Sequence, residues 1–132
     1  MPTITLNIKD ETATGKLLNE VKVSFANNLT TVKEIIKARV AAEVEAYNNR
    51  MPEYYKGLVQ PGDAETTLNG YKMKARKKVS AEAQITTALD AFYMNGYFVL
   101  IDNIQAEELE QMVVVNEQTQ ISFVKLTPLV GG

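Results

Sequence analysis

Hydrophobic positions recur along this chain in two rhythms, and each predicts an element. From Thr3 to Lys9 they alternate, with Ile4, Leu6 and Ile8 on one side and Thr5, Asn7 and Lys9 on the other. This is the period of a strand with one buried face. The same alternation returns from Glu20 to Phe25, where Val21, Val23 and Phe25 point one way. The link between them, Asp10 to Lys16, is polar and contains Gly15, so an antiparallel hairpin is the simplest pairing. After a break at Ala26-Asn27-Asn28-Leu29 the rhythm becomes helical: Val32, Ile35, Ile36, Val40, Val44 and Tyr47 share a stripe, with Lys33, Lys37, Glu43 and Glu45 between them. Thr31 and Glu34 have the spacing of a capping box at the start of this helix, and Asn48-Asn49 marks its end.

Residues 51 to 70 read as a connection punctuated by Pro52, Gly57, Pro61-Gly62 and Asn69-Gly70. Asn69-Gly70 suits a tight turn between Thr66-Thr67-Leu68 and an alternating run from Tyr71, whose outer side carries Lys72, Lys74 and Arg76. Ser80 caps a second helix in which Ile85, Leu89 and Phe92 recur, and Asn95-Gly96 stops it because both residues tolerate a left-handed backbone. Tyr97 to Ile101 is a nearly continuous apolar run, as in a strand buried on both faces. A turn through Glu107, Glu108 and Glu110, a short strand from Met112 to Val115 and a turn from Asn116 to Thr119 lead to a final strand from Gln120. Pro128, lacking an N–H, ends that strand. The expected fold class is α+β, with a mixed sheet of four to five strands on one main helix, an inserted hairpin and a second helix. A right-handed crossover would set the first and last strands side by side in the middle of the sheet.

Composition narrows the function. With 132 residues, 45% of them hydrophobic and 23% charged, the chain fits one soluble globular domain without a disulfide or metal staple. It contains neither cysteine nor histidine, which removes thiolate chemistry and the commonest general base and metal ligand. An enzyme is therefore the less favoured class, and no cofactor bound by this chain is expected. A net charge of −2 gives no overall attraction to nucleic acid or membrane. Met1-Pro2-Thr3 runs straight into the first strand, so neither a signal peptide nor a membrane span is expected, and the default location is cytoplasmic.

The distinctive chemistry lies in the tail. Thr127 to Gly132 can reach about 20 Å when extended, and Gly131-Gly132 has no side chain to obstruct a narrow channel. The opening hairpin, the Thr31-Val32-Lys33-Glu34-Ile35-Ile36 helix start, and Ile121-Ser122-Phe123 feeding Pro128-Leu129-Val130-Gly131-Gly132 together resemble the ubiquitin-like β-grasp family. That family includes ubiquitin-like modifiers and the bacterial sulfur carriers of thiamin and molybdopterin synthesis. The resemblance spans Met1 to about Tyr47 and Tyr97 to Gly132, leaving 48–96 as an insertion in a single ubiquitin-like domain with a flexible tail at 127–132.

The resemblance implies that Gly132 is the point of covalent attachment. Its carboxylate would be adenylated by a partner activating enzyme using ATP and magnesium, with a conjugating enzyme as a further partner and lysines of target proteins as acceptors. Leu126, Pro128, Leu129, Val130 and Gly131 would be read by the activating enzyme. Ubiquitin's own tail arginines are missing, and the Pro-Leu-Val-Gly-Gly ending looks more like that of the bacterial carriers. A bacterial ubiquitin-like modifier is favoured, with a thiocarboxylate-forming sulfur carrier as the alternative and a non-covalent interaction module as the third reading. The basic run Lys72, Lys74, Arg76, Lys77 and Lys78 reads best as a solvated face, and Glu107, Glu108 and Glu110 as a solvated turn.

Overall fold

A computed structural model describes residues 3–62, 64–67, 70–73 and 78–126. The first two strands, β1 (Ile4–Thr12) and β2 (Leu17–Phe25), form the expected antiparallel hairpin. Gly15 turns it at φ 90, a left-handed value that favours glycine. Both strands are longer than their apolar alternation indicates. The polar residues Asp10 to Thr12 continue β1, and the pairing register shifts between Asp10 and Glu11.

A short strand β3 (Leu29–Thr31) leads into the main helix α1 (Val32–Arg50). Thr31 caps α1 as its side chain accepts from the Glu34 N–H at 3.2 Å, and Met51 closes it in a left-handed conformation. The inserted region supplies β4 (Tyr54–Tyr55), β5 (Ala64–Thr67), β6 (Gly70–Met73) and the second helix α2 (Ala81–Tyr93). Three strands thus stand where the sequence indicates a hairpin, in the order β4-β6-β5. Gly70, at φ 120, pairs with Thr67 as a strand residue; Asn69 of the expected Asn69-Gly70 turn lies outside the described residues. Ser80 caps α2 by accepting from the Ala83 N–H at 3.2 Å, and Asn95 turns left-handed just past its end at φ 58.

The remaining strands are β7 (Tyr97–Ile101), β8 (Ile104–Gln105), β9 (Met112–Val114) and β10 (Ile121–Lys125). The main sheet runs β2-β1-β10-β7-β8. Its centre is the parallel pair β1 and β10, which the crossover argument places there, and every other neighbour is antiparallel. This is an α+β fold with a five-stranded mixed sheet packed on α1, in a β-grasp-like order. β9 does not join this sheet; it pairs with β3 instead. Nor is β7 buried along its whole length: Tyr97 and Val99 are buried, while Phe98, Leu100 and Ile101 are half-covered.

The core lies between the sheet and α1, where Leu6, Ile8, Val23, Phe25, Val99, Ile121 and Phe123 meet Val32, Ile35, Ile36, Val40 and Val44. The insertion packs on that core rather than projecting from it, since Tyr55, Leu58, Val59, Ala88 and Phe92 belong to the same cluster. The Asn48 amide fastens the chain ahead of α2 to α1, donating to Val79 O at 2.9 Å and accepting from Val79 N at 2.8 Å. Among the described residues, no helix is long and apolar enough to cross a membrane.

Candidate functional site

The chain leaves the sheet at the end of β10, and the inserted strands lie beside this exit. Lys125 is the last strand residue, paired with Thr12 on one side and Tyr97 on the other, and Leu126 follows at 46% exposure. Both line a cleft of about 750 Å³ between the ends of β1, β2 and β10 and the insertion. Of the residues expected to be read by an activating enzyme, only Leu126 is described, and it sits at this exit. Pro128, Leu129, Val130, Gly131 and the attachment residue Gly132 lie outside the described residues.

Beneath the cleft is a charged cluster whose connectivity the sequence conceals. Asp10 follows Ile4, Leu6 and Ile8 on the inward face of β1 and is only 2% exposed. Arg39 lies in the stripe of α1 between Ile35-Ile36 and Val40, and it is completely buried. Its guanidinium grips Asp10 with two hydrogen bonds, one from Nη1 to Oδ1 and one from Nη2 to Oδ2 at 2.7 Å. Nε donates to Glu43 Oε2 at 3.0 Å, and the guanidinium carbon lies 4.8 Å from the centre of the Phe123 ring on β10. Arg39 suits this position because its planar fork satisfies two carboxylates while its face stacks on an aromatic ring.

Glu43 carries the cluster into the insertion. It accepts from the Leu58 N–H at 3.2 Å and from the Tyr55 hydroxyl at 3.3 Å. Burial pushes the Glu43 carboxyl above the ordinary carboxylate range, with the Arg39 charge opposing that shift. Burial alone would loosen the proton on Arg39, but Glu43 and Asp10 outweigh it and hold the guanidinium charged. The arrangement serves to hold β1, α1 and the insertion in one geometry at the root of the tail. It offers no exposed base: both Asp10 oxygens are engaged by Arg39, and both Glu43 oxygens are shared among three partners.

Lys125 is the ionisable group that faces the cleft from β10. Its Nζ donates to Gly57 O at 2.7 Å and lies 5.3 Å from the centre of the Tyr71 ring. Desolvation lowers its pKa from the ordinary lysine value, partly opposed by Asp10.

Periodicity alone puts Glu43 on the polar face of α1 and Asp10 in a loop, and singles out no role for Arg39; the structure buries all three. The available signals were the continuation of the two-residue period from Ile8 to Asp10, and an Arg39–Glu43 pair at helical i,i+4 spacing inside an apolar stripe. Elsewhere, Lys72 and Lys78 of the basic run are exposed; Lys74, Arg76 and Lys77 lie outside the described residues. Glu107, Glu108 and Glu110 are exposed, Tyr55 is buried in the core and Tyr93 stands 70% exposed. Among the described residues, no group of three or more acidic, histidine or cysteine side chains is placed to hold a metal ion.

Comparison with known protein families, curated proteins and solved structures finds no match for this chain. What the structure supplies is a β-grasp-like fold, consistent in general with a modifier or adaptor role.

Proposed function

We propose that this chain is a ubiquitin-like protein modifier conjugated through Gly132. The observation that carries the reading is the central parallel pair β1 and β10 clasped by α1, with the chain leaving β10 at Leu126 into the sequence Thr127-Pro128-Leu129-Val130-Gly131-Gly132. An ionised α-carboxylate is a poor electrophile. Its attack on the α-phosphate of ATP, held with magnesium by a partner activating enzyme, releases pyrophosphate and leaves an acyl-adenylate. A partner thiolate then displaces AMP to form a thioester, and a target lysine amine displaces the thiol to form an isopeptide bond. All thiol chemistry belongs to the activating and conjugating enzymes, because this chain has no cysteine.

The alternative reading, a sulfur carrier, rests on the Pro-Leu-Val-Gly-Gly ending; there a sulfur donor takes the place of the thiolate and leaves a thiocarboxylate. Mass spectrometry of N-terminally tagged protein from its native cells separates the readings. Lysine adducts bearing a Gly131-Gly132 remnant are expected, and Gly132→Ala or deletion of Gly131-Gly132 should abolish them. Adducts that persist without the glycines would sink the proposal. A lone species with one terminal oxygen replaced by sulfur would make the chain a carrier, and an unmodified acid would leave a binding module. The same spectrum reads whether Gly132 is the mature end.

A further inference from the structure

A cation withdrawn from water needs a counter-charge, and the cleft beside β10 holds one that forms no ion pair among the described residues. Lys125 makes one hydrogen bond, to the Gly57 carbonyl, and rests near the Tyr71 ring; among the described residues it forms no ion pair. Two of its three N–H donors have no partner there. Asp10 on the same wall is gripped through both its oxygens by Arg39 and makes no contact ion pair with Lys125. Lys16 from the β1–β2 turn and Lys56 from the segment after β4 line the cleft as well. Among the described residues the walls therefore bring together three lysines and a single carboxylate that is already paired, in a chain whose net charge is −2.

We propose that this cleft binds a small phosphorylated molecule, with the Lys125 ammonium receiving its phosphate and Lys16 and Lys56 completing the charge. Lysine meets phosphate as a point charge whose N–H donors each find an oxygen. A volume of about 750 Å³ falls within the range of small-molecule sites. Tyr71, half-buried among the lining residues, gives a ring-bearing ligand some aromatic surface. The site forms only because the insertion folds back beside the end of the sheet, and it stands whether or not Gly132 is acylated.

Lysine-selective NMR of the full chain, titrated with inorganic phosphate, AMP and adenosine, tests this. Phosphate and AMP are expected to shift the Lys125 side-chain signal, with adenosine leaving it in place. AMP binding tighter than phosphate identifies a nucleotide-like ligand, and equal affinity identifies free phosphate as sufficient. Lys125→Gln should weaken AMP binding by about ten-fold or more, the loss of one charge-assisted contact, while Lys33→Gln on the first turn of α1 should not change it. The exposed pair Lys16→Gln with Lys56→Gln gives a second reading that does not depend on how Lys125→Gln folds, and it too should weaken binding. No shift at Lys125 with either phosphate probe, or unaltered affinity in both the Lys125 and the Lys16/Lys56 variants, overturns the proposal.

Discussion

Taking away the Arg39 guanidinium would leave Asp10 and Glu43 as uncompensated carboxylates inside the protein. Arg39→Met is therefore expected to cost about 3–5 kcal/mol, the usual penalty for breaking a buried ion pair, read as a lower denaturant midpoint. Replacing all three residues by apolar ones of similar volume should recover much of that loss, since a well-packed apolar substitute has no charges to desolvate. A triple variant as unstable as Arg39→Met would contradict this account. Phenols set a second expectation. Burial raises Tyr97 and Tyr55 above the ordinary value of 10.0, and the Tyr97 hydroxyl donates to Ala88 O at 2.7 Å. An acid whose folded pKa exceeds its unfolded one adds stability that is whole below its unfolded pKa and is lost as pH rises through the folded value. Stability should thus fall above pH about 10, and Tyr97→Phe should make the fall shallower in urea titrations at successive pH values.

Among the elements, the two helices announce their own starts. Thr31 and Ser80 cap α1 and α2 as their spacing indicates, because a cap depends only on residues within one turn. Ser80→Ala should lower stability by about 1 kcal/mol, measured by thermal or denaturant unfolding. The strands β3, β4 and β8 are not legible in the same way. Two or three residues carry no period, and each exists only through a partner distant in sequence or across a turn. β8 pairs with β7 across Asp102 and Asn103, at φ 50 and 67, the two left-handed residues that a two-residue hairpin requires. The insertion depends on a close approach at Gly57, where an added Cβ would fall 2.0 Å from Cε1 of the Tyr55 ring. Gly57→Ala must displace that ring and with it the Tyr55–Glu43 hydrogen bond. A loss of about 1–3 kcal/mol is expected from such overpacking, with a changed near-ultraviolet tyrosine signal as its signature.

For the molecule as a whole, local pattern and long-range contact divide the work. Alternation in β1 and β2, the apolar stripe of α1, the caps and the left-handed stop at Asn95 are written in neighbouring residues. From them the sequence alone determined an α+β chain with an opening hairpin, a main helix, an insertion and a final strand, and the absence of cysteine and histidine bounded its chemistry. The crossover rule extended this to the central pairing of β1 with β10. Tertiary structure decided what depends on residues far apart: that Asp10, Arg39 and Glu43 meet, that Glu43 draws Leu58 and Tyr55 of the insertion onto α1, that β9 joins β3, and that Lys125 faces a cleft. Hydrophobic periodicity assigns charged residues to solvent by default. Arg39 and Glu43 stand one helical turn apart, but their pairing with Asp10 and with the insertion, which no local window of sequence contains, brings these ones inside.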